Sequence, residues 1–280
     1  MNNTCFYPQN ISNEKLDFFL AKGFFRSGQT MCRSDVLCFD EGIFSPVRIR
    51  LALPNYTAKK RLQKMLRQNK SQFKTVIKKA SYAYSKEVLY QYQKKRFMGY
   101  VSDSLTTYIN LSEDNNYPTF ECGVYDNDEL IAVSFFDVTQ ESLASISCLF
   151  NPNYAKYSLG IYTMLLEIEY GQKLGAKYYY PGYILPNNAR FDYKLRLGNM
   201  AYYRVEKDTW IDYKELNVAT LPTVLLENKM KKMSDCCTKN KVNHKVLLYP
   251  LYDIEGGNDV DLQMVDNPLL LLVRYKAKAV

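Results

Sequence analysis

The spacing of apolar residues changes its period at about residue 118. Before that point, short helical patterns alternate with polar turns, whereas the next thirty residues repeat apolar positions at strand-like spacing. The first part of the pattern predicts helices over residues 13–22, 58–69, 85–97 and 104–109. Ser12 and Ser85 are the expected caps of the first and third of these helices. The polar residues 114–118 predict a loop that is a candidate domain boundary.

The second part of the chain predicts three strands, a long helix and a fourth strand. These elements cover residues 120–125, 130–138, 143–150, 158–174 and 177–183, and Gly175 ends the helix. The order β-β-β-α-β fits a mixed sheet in which a right-handed crossover leads into the last strand. The pattern therefore places the chain in the α+β class. A helix over 221–232 and two apolar runs, 245–252 and 269–273, follow.

Length and composition narrow the class of protein. With 280 residues, of which 47% are hydrophobic, the chain is long enough for one large domain or two small ones. No segment approaches the roughly 20 apolar residues that a membrane span requires. The first residues lack the basic and apolar regions of a signal peptide, so we expect a cytoplasmic protein.

The positive charge is concentrated in one segment. The formal net charge is +8, and residues 59–79 contain lysines and arginines but no acidic residue. Such a run is often only a solvated face, which is as good an interpretation as a functional one. The absence of acidic residues favours a polyanionic partner, because lysine and arginine release counterions from phosphates.

Cysteine and histidine offer little catalytic chemistry. The seven cysteines contain no Cys-x-x-Cys pair, and an odd number in a reducing compartment predicts free thiols. His244 is the single histidine, and its place at the start of an apolar run is more typical of a structural residue than of a catalytic base. The sequence also lacks a phosphate-binding loop.

The run from Ser158 to Arg196 is the best candidate for a site. A helix that begins after a strand and loop offers free backbone N–H groups, and Gly160 lets a ligand approach the backbone. Glu167 lies two turns further along the same face, among apolar neighbours. The simpler alternatives are that Ser158 is a helix cap and that Glu167 is a surface glutamate.

Aromatic and basic residues follow this helix. On the predicted strand, alternate tyrosines put one face into the core and leave the other free to line a cleft: Tyr178, Tyr179, Tyr180 and Tyr183. The next loop carries Arg190, Asp192, Tyr193, Lys194 and Arg196. Basic residues beside aromatic ones suit phosphates and nucleobases, but they also suit an ordinary exposed loop.

Several motifs in this order resemble arginyl-tRNA–protein transferases of the bacterial type. These enzymes move an amino acid from charged tRNA onto the N-terminus of a protein. The motifs are residues 23–28 (GFFRSG), 46–48 (PVR), 136–138 (FDV), 151–152 (NP), 158–168 (SLGIYTMLLEI), 180–184 (YPGYI) and 193–196 (YKLR). The resemblance extends from about residue 5 to about residue 205 and does not cover the tail.

The resemblance implies a GNAT-type acyltransferase core behind a small N-terminal α/β domain. We expect an N-terminal domain over residues 1–80, a catalytic domain over 81–210 and an extension over 211–280. It also implies chemistry that needs neither a protein nucleophile nor a cofactor. The α-amino group of the acceptor, with a pKa of roughly 7.7–8.0, attacks the ester of the aminoacyl-tRNA, and positioning supplies much of the rate.

The motifs and the resemblance together assign three groups of residues. The donor pocket is expected to contain Ser158, Gly160, Glu167, Tyr183, Asp137, Asp192 and Tyr193. The acceptor is a protein or peptide that begins with Asp or Glu, and the cations expected to pair with it are Arg26, Arg48 and Lys194. The residues expected to bind tRNA are Lys59, Lys60, Arg61, Lys64, Arg67 and Arg196.

The chain departs from the family pattern at its cysteines. The family usually carries a cysteine quartet that binds a metal centre, whereas here Cys5 fits the first position and residues 31–46 keep only Cys32 and Cys38. We therefore predict neither an iron–sulfur cluster nor zinc. Iron and zinc analysis of the purified protein tests this prediction.

Glu167 bears on which amino acid is transferred. Related bacterial enzymes transfer leucine and tend to have glutamine at this position, whereas arginyl enzymes have glutamate. A buried carboxylate pairs with a guanidinium and is left unpaired by leucine, so arginine is the preferred donor and leucine the alternative. Two further alternatives are an N-acetyltransferase, whose pyrophosphate loop residues 154–160 fit poorly, and a catalytically silent RNA-binding relative.

Overall fold

The computed structural model describes residues 3–39, 42–97, 101–111, 117–186, 188–242, 244–248 and 270–274. The chain forms two compact units. The larger unit contains Cys5–Cys32 and Val47–Leu216, and the smaller unit contains Met1–Thr4, Arg33–Pro46 and Asn217–Val280. All residues predicted for the donor, acceptor and tRNA sites belong to the larger unit.

The described part of the chain contains six α-helices and sixteen strands. The helices are α1 (Asn13–Ala21), α2 (Lys60–Gln72), α3 (Tyr84–Lys94), α4 (Leu105–Ile109), α5 (Leu159–Leu174) and α6 (Pro222–Lys239). The strands are β1 (Asn3–Phe6), β2 (Phe25–Ser27), β3 (Thr30–Ser34), β4 (Leu37–Phe39), β5 (Gly42–Phe44), β6 (Val47–Ala52), β7 (Lys74–Lys79), β8 (Thr119–Asp126), β9 (Glu129–Val138), β10 (Ser142–Phe150), β11 (Tyr178–Tyr180), β12 (Tyr183–Ile184), β13 (Met200–Arg204), β14 (Thr209–Asp212), β15 (His244–Leu248) and β16 (Leu270–Arg274).

The helix ends show which capping predictions were right. The hydroxyl oxygen of Ser12 accepts a hydrogen bond from the Lys15 amide at 3.2 Å and so caps α1 as predicted. Ser85 lies inside α3, which follows Ala83 without a side-chain cap, so its predicted capping role is wrong. Gly175 ends α5 in the left-handed conformation with φ of 75°, as a C-terminal glycine does.

The central sheet of the larger unit has the strand order β14-β13-β6-β11-β10-β9-β8-β7, and β12 also pairs with β6. The paired strands are antiparallel, apart from β10 and β11, which run parallel and are connected by α5. The predicted β-β-β-α-β order and mixed sheet are therefore confirmed.

The two units differ from the predicted domains. Because β6 and β7 are hydrogen-bonded within the central sheet, residues 47–79 belong with the strands that follow residue 118. The boundary expected at residue 80 therefore does not coincide with a division between the two units. This division depends on the pairing of strands that are far apart in the sequence, and the local spacing of apolar residues does not predict that pairing.

Helices cover both faces of the central sheet. On one face, Tyr170 of α5 contacts the rings of Phe120 and Phe136, and Gly171 allows the helix to come close to the sheet. On the other face, α3 and α4 form a buried core with β9 and β10. This core contains Leu89, Tyr90, Leu105, Ile109, Leu130, Val133, Phe135 and Leu149. Each such side chain contributes roughly 1.5–3 kcal/mol on burial.

The parallel strands β10 and β11 separate after three residues. Residues 142–144 pair with residues 178–180, but β10 then continues to Phe150 with a register shift between Ser145 and Ser147. Beyond β11, Gly182 adopts φ of +89°, and β12 pairs with β6 instead. The predicted strand 177–183 is thus broken at its Pro-Gly sequence. The space between β10 beyond Ala144 and the chain beyond Tyr180 is called the strand gap below.

The N-terminal part of the larger unit contains a disulfide between Cys5 and Cys32. The expectation that all seven thiols are free is therefore wrong for these two residues. Strands β1 and β3 bring them together, although 27 residues separate them in the sequence. The other cysteines are free, as expected: Cys38, Cys122, Cys148, Cys236 and Cys237.

The smaller unit contains the β4–β5 hairpin, α6 and the antiparallel pair β15–β16. The hydroxyl oxygen of Ser45 accepts a hydrogen bond from the amide of Thr223 at 3.0 Å and fixes the start of α6. This helix continues to Lys239, seven residues beyond its predicted end at 232. No helix in the described part of the chain combines the length and apolar character needed to cross a membrane.

Candidate functional site

A buried carboxyl group lies beneath α5 at the beginning of the strand gap. Glu167 is fully buried, and its Oε2 accepts a hydrogen bond from the Tyr179 hydroxyl of β11 at 2.7 Å. Among the described residues, no group meets Oε1 with good hydrogen-bond geometry, although the Ser134 and Ser145 hydroxyls are close enough to act on the carboxyl group. Burial raises the pKa of Glu167 to about 7, and the hydroxyls of Ser134, Tyr179 and Ser145 offset part of that rise. The surface-glutamate alternative is therefore wrong.

Two tyrosines reach the same region from other elements. Tyr193 belongs to a 3₁₀ helix (Asp192–Leu197), and its ring is 39% exposed. Burial of its hydroxyl raises the pKa of Tyr193, and the nearby Cys148, Glu167 and Tyr108 raise it further. Tyr108 comes from α4, on the opposite face of the sheet. The strand gap thus brings together side chains from both faces.

The N-terminus of α5 provides backbone donors next to open space. Ser158 has the left-handed conformation and makes no side-chain cap, so its cap alternative is not what the structure shows. Its carbonyl accepts from the amides of Ile161 and Tyr162, which leaves those of Leu159 and Gly160 outside the helical ladder. A Cβ on Gly160 would meet no described atom within 4 Å, so the helix start is open there.

A basic and aromatic cluster lies where β12 pairs with β6. The Arg48 guanidinium lies 3.9 Å from the centre of the Phe25 ring and 5.1 Å from that of Tyr183. The Lys194 Nζ donates to the carbonyl oxygen of Tyr183 at 2.8 Å. The Tyr183 ring stacks on Phe191. We call these five residues the Tyr183 cluster.

The structure argues against an acceptor role for Arg26 and a donor-pocket role for Asp137. The Arg26 guanidinium donates to Asp137 Oδ1 and Thr119 Oγ1, both at 2.7 Å, and to the carbonyl oxygen of Ile109 at 2.6 Å. Arg26 Nε donates to the carbonyl oxygen of Gly28 at 2.7 Å. Both side chains are almost fully buried and form a structural ion pair.

The remaining candidates lie on exposed surfaces. Asp192 and Arg196 are exposed on the 3₁₀ helix that carries Tyr193, and Asp192 has no described contact with Glu167. The predicted basic residues of α2 and its N-terminal flank are all exposed and form no ion pair with a described residue: Lys59, Lys60, Arg61, Lys64 and Arg67. The Lys59 side chain lies close to Gly198, so the N-terminal end of α2 is near the Arg196 segment.

Sequence reasoning missed Tyr108, Ser134, Ser145 and Cys148. They come from elements whose proximity follows only from the sheet order, so no local signal identifies them. Phe25 had a signal, since it lies within the 23–28 motif. Among the described residues, no group of three His, Cys, Asp or Glu side chains is arranged to hold a metal ion.

The arrangement suits the joining of two bound substrates without a covalent enzyme intermediate. Burial raises the pKa of the Cys148 thiol to about 12, so it stays protonated and is a poor nucleophile. A carboxyl group, phenol hydroxyls, backbone donors and an amine remain, and these groups bind, orient and exchange protons. The described groups are therefore compatible with the class of transferases that bind and position two substrates.

The family assignment agrees with this class. The sequence model of the family described as "Arginine-tRNA-protein transferase, C terminus" matches residues 55–204. Because the match covers more than half of the 280 residues, the chain belongs to this family of aminoacyl-tRNA–protein transferases. The matched segment contains the strand gap, the start of α5 and Lys194.

Curated relatives are named for leucine rather than arginine. The chain is 28% identical over 195 residues to an aspartate/glutamate leucyltransferase of Leptospira interrogans, covering 67% of this chain and 74% of that protein. A protein of the same name from Campylobacter jejuni strain RM1221 is 25% identical over 195 residues, covering 67% and 77%. The family description and these names therefore disagree on leucine or arginine.

Solved structures resemble the chain weakly. The structure of FemX has a TM-score of 0.45 and 9% sequence identity, and the match covers 70% of this chain and 68% of that one. The structure of L-PGS from Bacillus licheniformis has a TM-score of 0.37 and 12% identity, with 82% and 73% covered.

Proposed function

We propose that this protein transfers arginine from arginyl-tRNA to the N-terminal α-amino group of proteins that begin with Asp or Glu. The observation that carries the proposal is the buried, incompletely paired carboxyl group of Glu167 beside the strand gap. The β-β-β-α-β order and the separation of β10 from β11 support a GNAT-type core whose donor end lies at this gap.

Glu167 supports arginine as the transferred residue. A carboxyl group buried without a full set of partners is unfavourable, and a guanidinium supplies both charge and two parallel donors. A bound arginine side chain would lower the pKa of Glu167 from its raised value of about 7 and leave a paired carboxylate. Gly160 leaves room for the aminoacyl ester at the start of the helix.

The Tyr183 cluster supports an acidic acceptor. Lys194 and Arg48 place two basic groups around one aromatic ring, and no described carboxylate forms an ion pair with Lys194. The Asp or Glu side chain of an acceptor would supply that charge. The relatives named aspartate/glutamate leucyltransferases agree with this class of acceptor.

The exposed basic residues of α2 support tRNA binding. Five cations on one segment, none of them paired with an acidic residue in the described part of the chain, suit a phosphate backbone. The N-terminal end of this segment lies near Gly198, close to the 3₁₀ helix that carries Arg196. The strength of such binding depends on salt because counterions are released.

Leucine is the second candidate donor, and two observations favour it. The two relatives reported above, each matching 67% of this chain, are named aspartate/glutamate leucyltransferases. In addition, a carboxyl group with a pKa of about 7 is partly neutral near pH 7, and a neutral group tolerates an apolar neighbour better than a charged one does.

One assay separates these proposals. Purified protein is incubated with labelled arginyl-tRNA or leucyl-tRNA and with peptides that begin with Asp, Glu or Ala. Transfer of arginine to the acidic peptides supports the proposal, and transfer of leucine alone supports the second candidate. Binding of tRNA without any transfer indicates an RNA-binding relative, and acetyl transfer from acetyl-CoA indicates an N-acetyltransferase.

A further inference from the structure

Lys194 has an unusual setting for a lysine. Its Nζ lies 5.4 Å from the centre of the Tyr183 ring and 5.5 Å from that of Phe191, and it donates to the carbonyl oxygen of Tyr183 at 2.8 Å. A Cβ on Gly182 would lie 3.5 Å from the same nitrogen. The amine thus donates one hydrogen bond to the backbone and lies beside two aromatic rings in a half-buried position.

The charges around Lys194 are basic rather than acidic. Arg48 faces it from β6, and Tyr183 faces it from β12 as a neutral phenol whose pKa is raised by burial. On its own 3₁₀ helix, Asp192 and Arg196 are exposed, and neither pairs with the amine. Burial first, and Arg48 second, lower the pKa of Lys194 to about 7.

We propose that Lys194 takes the proton from the α-ammonium group of the acceptor and then pairs, as a cation, with the acceptor's acidic side chain. This inference rests on the proposed function and goes beyond charge recognition, because it gives one residue both the binding and the proton-transfer role. The two roles are compatible, since the cation that binds the carboxylate is formed by the proton that the amine loses.

The reaction balances without a further reagent. The α-ammonium group gives one proton to the Lys194 Nζ and becomes a neutral amine. The amine nitrogen bonds to the ester carbonyl carbon of the aminoacyl-tRNA, the bond from that carbon to the tRNA 3′-oxygen breaks, and a second proton from the nitrogen goes to the 3′-oxygen. Lys194 returns its proton to water when the product leaves.

The acceptor's side chain then influences the rate as well as the affinity. A carboxylate beside the amine favours its protonated form, so Lys194 becomes a stronger base when an acidic acceptor is bound. An acceptor that begins with Asn has a similar shape but lacks this effect. We therefore expect the discrimination between Asp and Asn acceptors to lie in kcat as well as in KM.

The first test uses Lys194→Arg with the donor that wild-type protein accepts. Arginine keeps the positive charge but does not accept a proton, so KM for an Asp peptide should change less than about threefold while kcat at pH 7 falls about 100-fold. The difference in kcat between wild-type protein and Lys194→Arg should become steadily smaller as the pH rises toward 9, because the free α-amine becomes available without a base. Lys173→Arg, at an exposed position of α5, is the matched control.

The second test needs no variant and covers a failure of Lys194→Arg to fold. With wild-type protein, kcat for the Asp peptide should hold nearly constant from pH 8 to 7, whereas kcat for the Asn peptide should fall several-fold. Parallel profiles for the two peptides, or a Lys194→Arg change confined to KM, would overturn the proton-transfer role. Absence of transfer by wild-type protein to any acidic peptide would instead overturn the proposed function.

Discussion

Arg26 and Lys194 are two basic residues that the sequence assigns to the same task, yet Arg26 is buried, Lys194 is half-buried, and their partners differ. The Arg26 side chain donates four hydrogen bonds, one of them to the buried carboxylate of Asp137, and its guanidinium lies 3.9 Å from the centre of the Tyr117 ring. Lys194 donates to one carbonyl oxygen and forms no ion pair with a described carboxylate. The Arg26 guanidinium therefore has a buried counter-ion, whereas Lys194 has none among the described residues.

The difference shows how the hydrogen-bond and ion-pair partners distinguish a structural cation from a candidate functional one. A buried charge with a matched counter-ion holds parts of the fold together, and removing one partner leaves the other uncompensated. A buried base without such a partner keeps a shifted pKa and is ready to exchange a proton or bind an anion. The same contrast, between groups that are paired within the fold and groups that are not, recurs for two buried carboxyl groups and for basic residues of α2. Two glycines of α5 differ in a related way, because only one of them is closely packed.

The largest expected effect is on stability at Arg26. Arg26→Met leaves Asp137 buried and unpaired, so the free energy of unfolding should fall by about 3–5 kcal/mol. Lys194→Met should cost less than about 1 kcal/mol, because it removes one hydrogen bond to a carbonyl oxygen. Urea denaturation measures both. Adding Asp137→Asn to Arg26→Met should restore part of the loss, and equal losses for Arg26→Met and Lys194→Met would contradict the comparison.

Glu167 and Glu121 are two buried carboxyl groups for which substitution by glutamine should change the stability in opposite directions. Glu121 is buried and paired with Lys86 at 2.5 Å, so Glu121→Gln should destabilise the protein by leaving a buried lysine unpaired. The pKa of Glu167 is raised from 4.5 to about 7, so the folded protein holds a proton that the unfolded chain has lost between these pH values. Stability contributed by Glu167 therefore falls as pH rises through this window and stays low above it.

Glu167→Gln removes this titration. At pH 8 the variant should be more stable than wild type by up to roughly 3 kcal/mol, and at pH 4.5 the two should be nearly equal. Thermal and urea unfolding at both pH values measure the difference. A variant that loses stability at pH 8 would show that the carboxylate form of Glu167 is already paired in the folded protein.

The same variant sharpens the choice of donor. If Glu167 pairs with a guanidinium, Glu167→Gln should reduce arginine transfer about 100-fold through the loss of a charge-assisted pair. Leucine transfer should be unchanged or increase. Initial rates with the two charged tRNAs provide the measurement, and equal effects on both donors would remove Glu167 from donor selection.

Local patterns in the sequence predicted much of the fold. Helix α5, its end at Gly175 and the three preceding strands were predictable because each has a continuous period and clear stop signals. The pairing of β6 and β7 into the central sheet was not, since hydrogen bonds between distant segments leave no local periodicity. The strand gap was only partly predictable: Pro181-Gly182 marks a break, but it does not show where the chain goes next.

The candidate site shows the same division. Gly160 and Glu167 were identifiable as candidates because helical spacing alone puts them on one face, and in the structure Gly160 lies next to open space and Glu167 is buried. The Arg26–Asp137 pair joins residues 111 positions apart, so two individually plausible site residues turn out to bind each other. Tyr108 reaches the gap from the opposite sheet face, which only three-dimensional layering reveals.

Basic surface residues of α2 extend the comparison to tRNA binding. Lys64 and Arg67 have no acidic partner among the described residues, whereas Lys70 pairs with Glu169 at 2.5 Å. Lys64→Gln with Arg67→Gln should weaken tRNA binding several-fold at low salt and reduce the salt slope by about two contacts. Lys70→Gln should have a smaller effect. Filter binding over a salt series measures both, and equal slopes would argue against α2 as the tRNA surface.

Two glycines of α5 give the smallest and most specific expected effect. Gly171→Ala puts a Cβ 2.9 Å from methyl groups of Leu143 and Leu53, so it should destabilise the protein by about 1–3 kcal/mol. Gly160→Ala meets open space and should stabilise the helix by a few tenths of a kcal/mol to about 1 kcal/mol.

If the aminoacyl ester lies against this turn, the new methyl group nevertheless raises KM for charged tRNA about three- to tenfold. Steady-state kinetics with thermal melting separate the two effects, because only a ligand-facing glycine lowers activity while raising stability. Unchanged kinetics in Gly160→Ala would place the donor elsewhere along the strand gap.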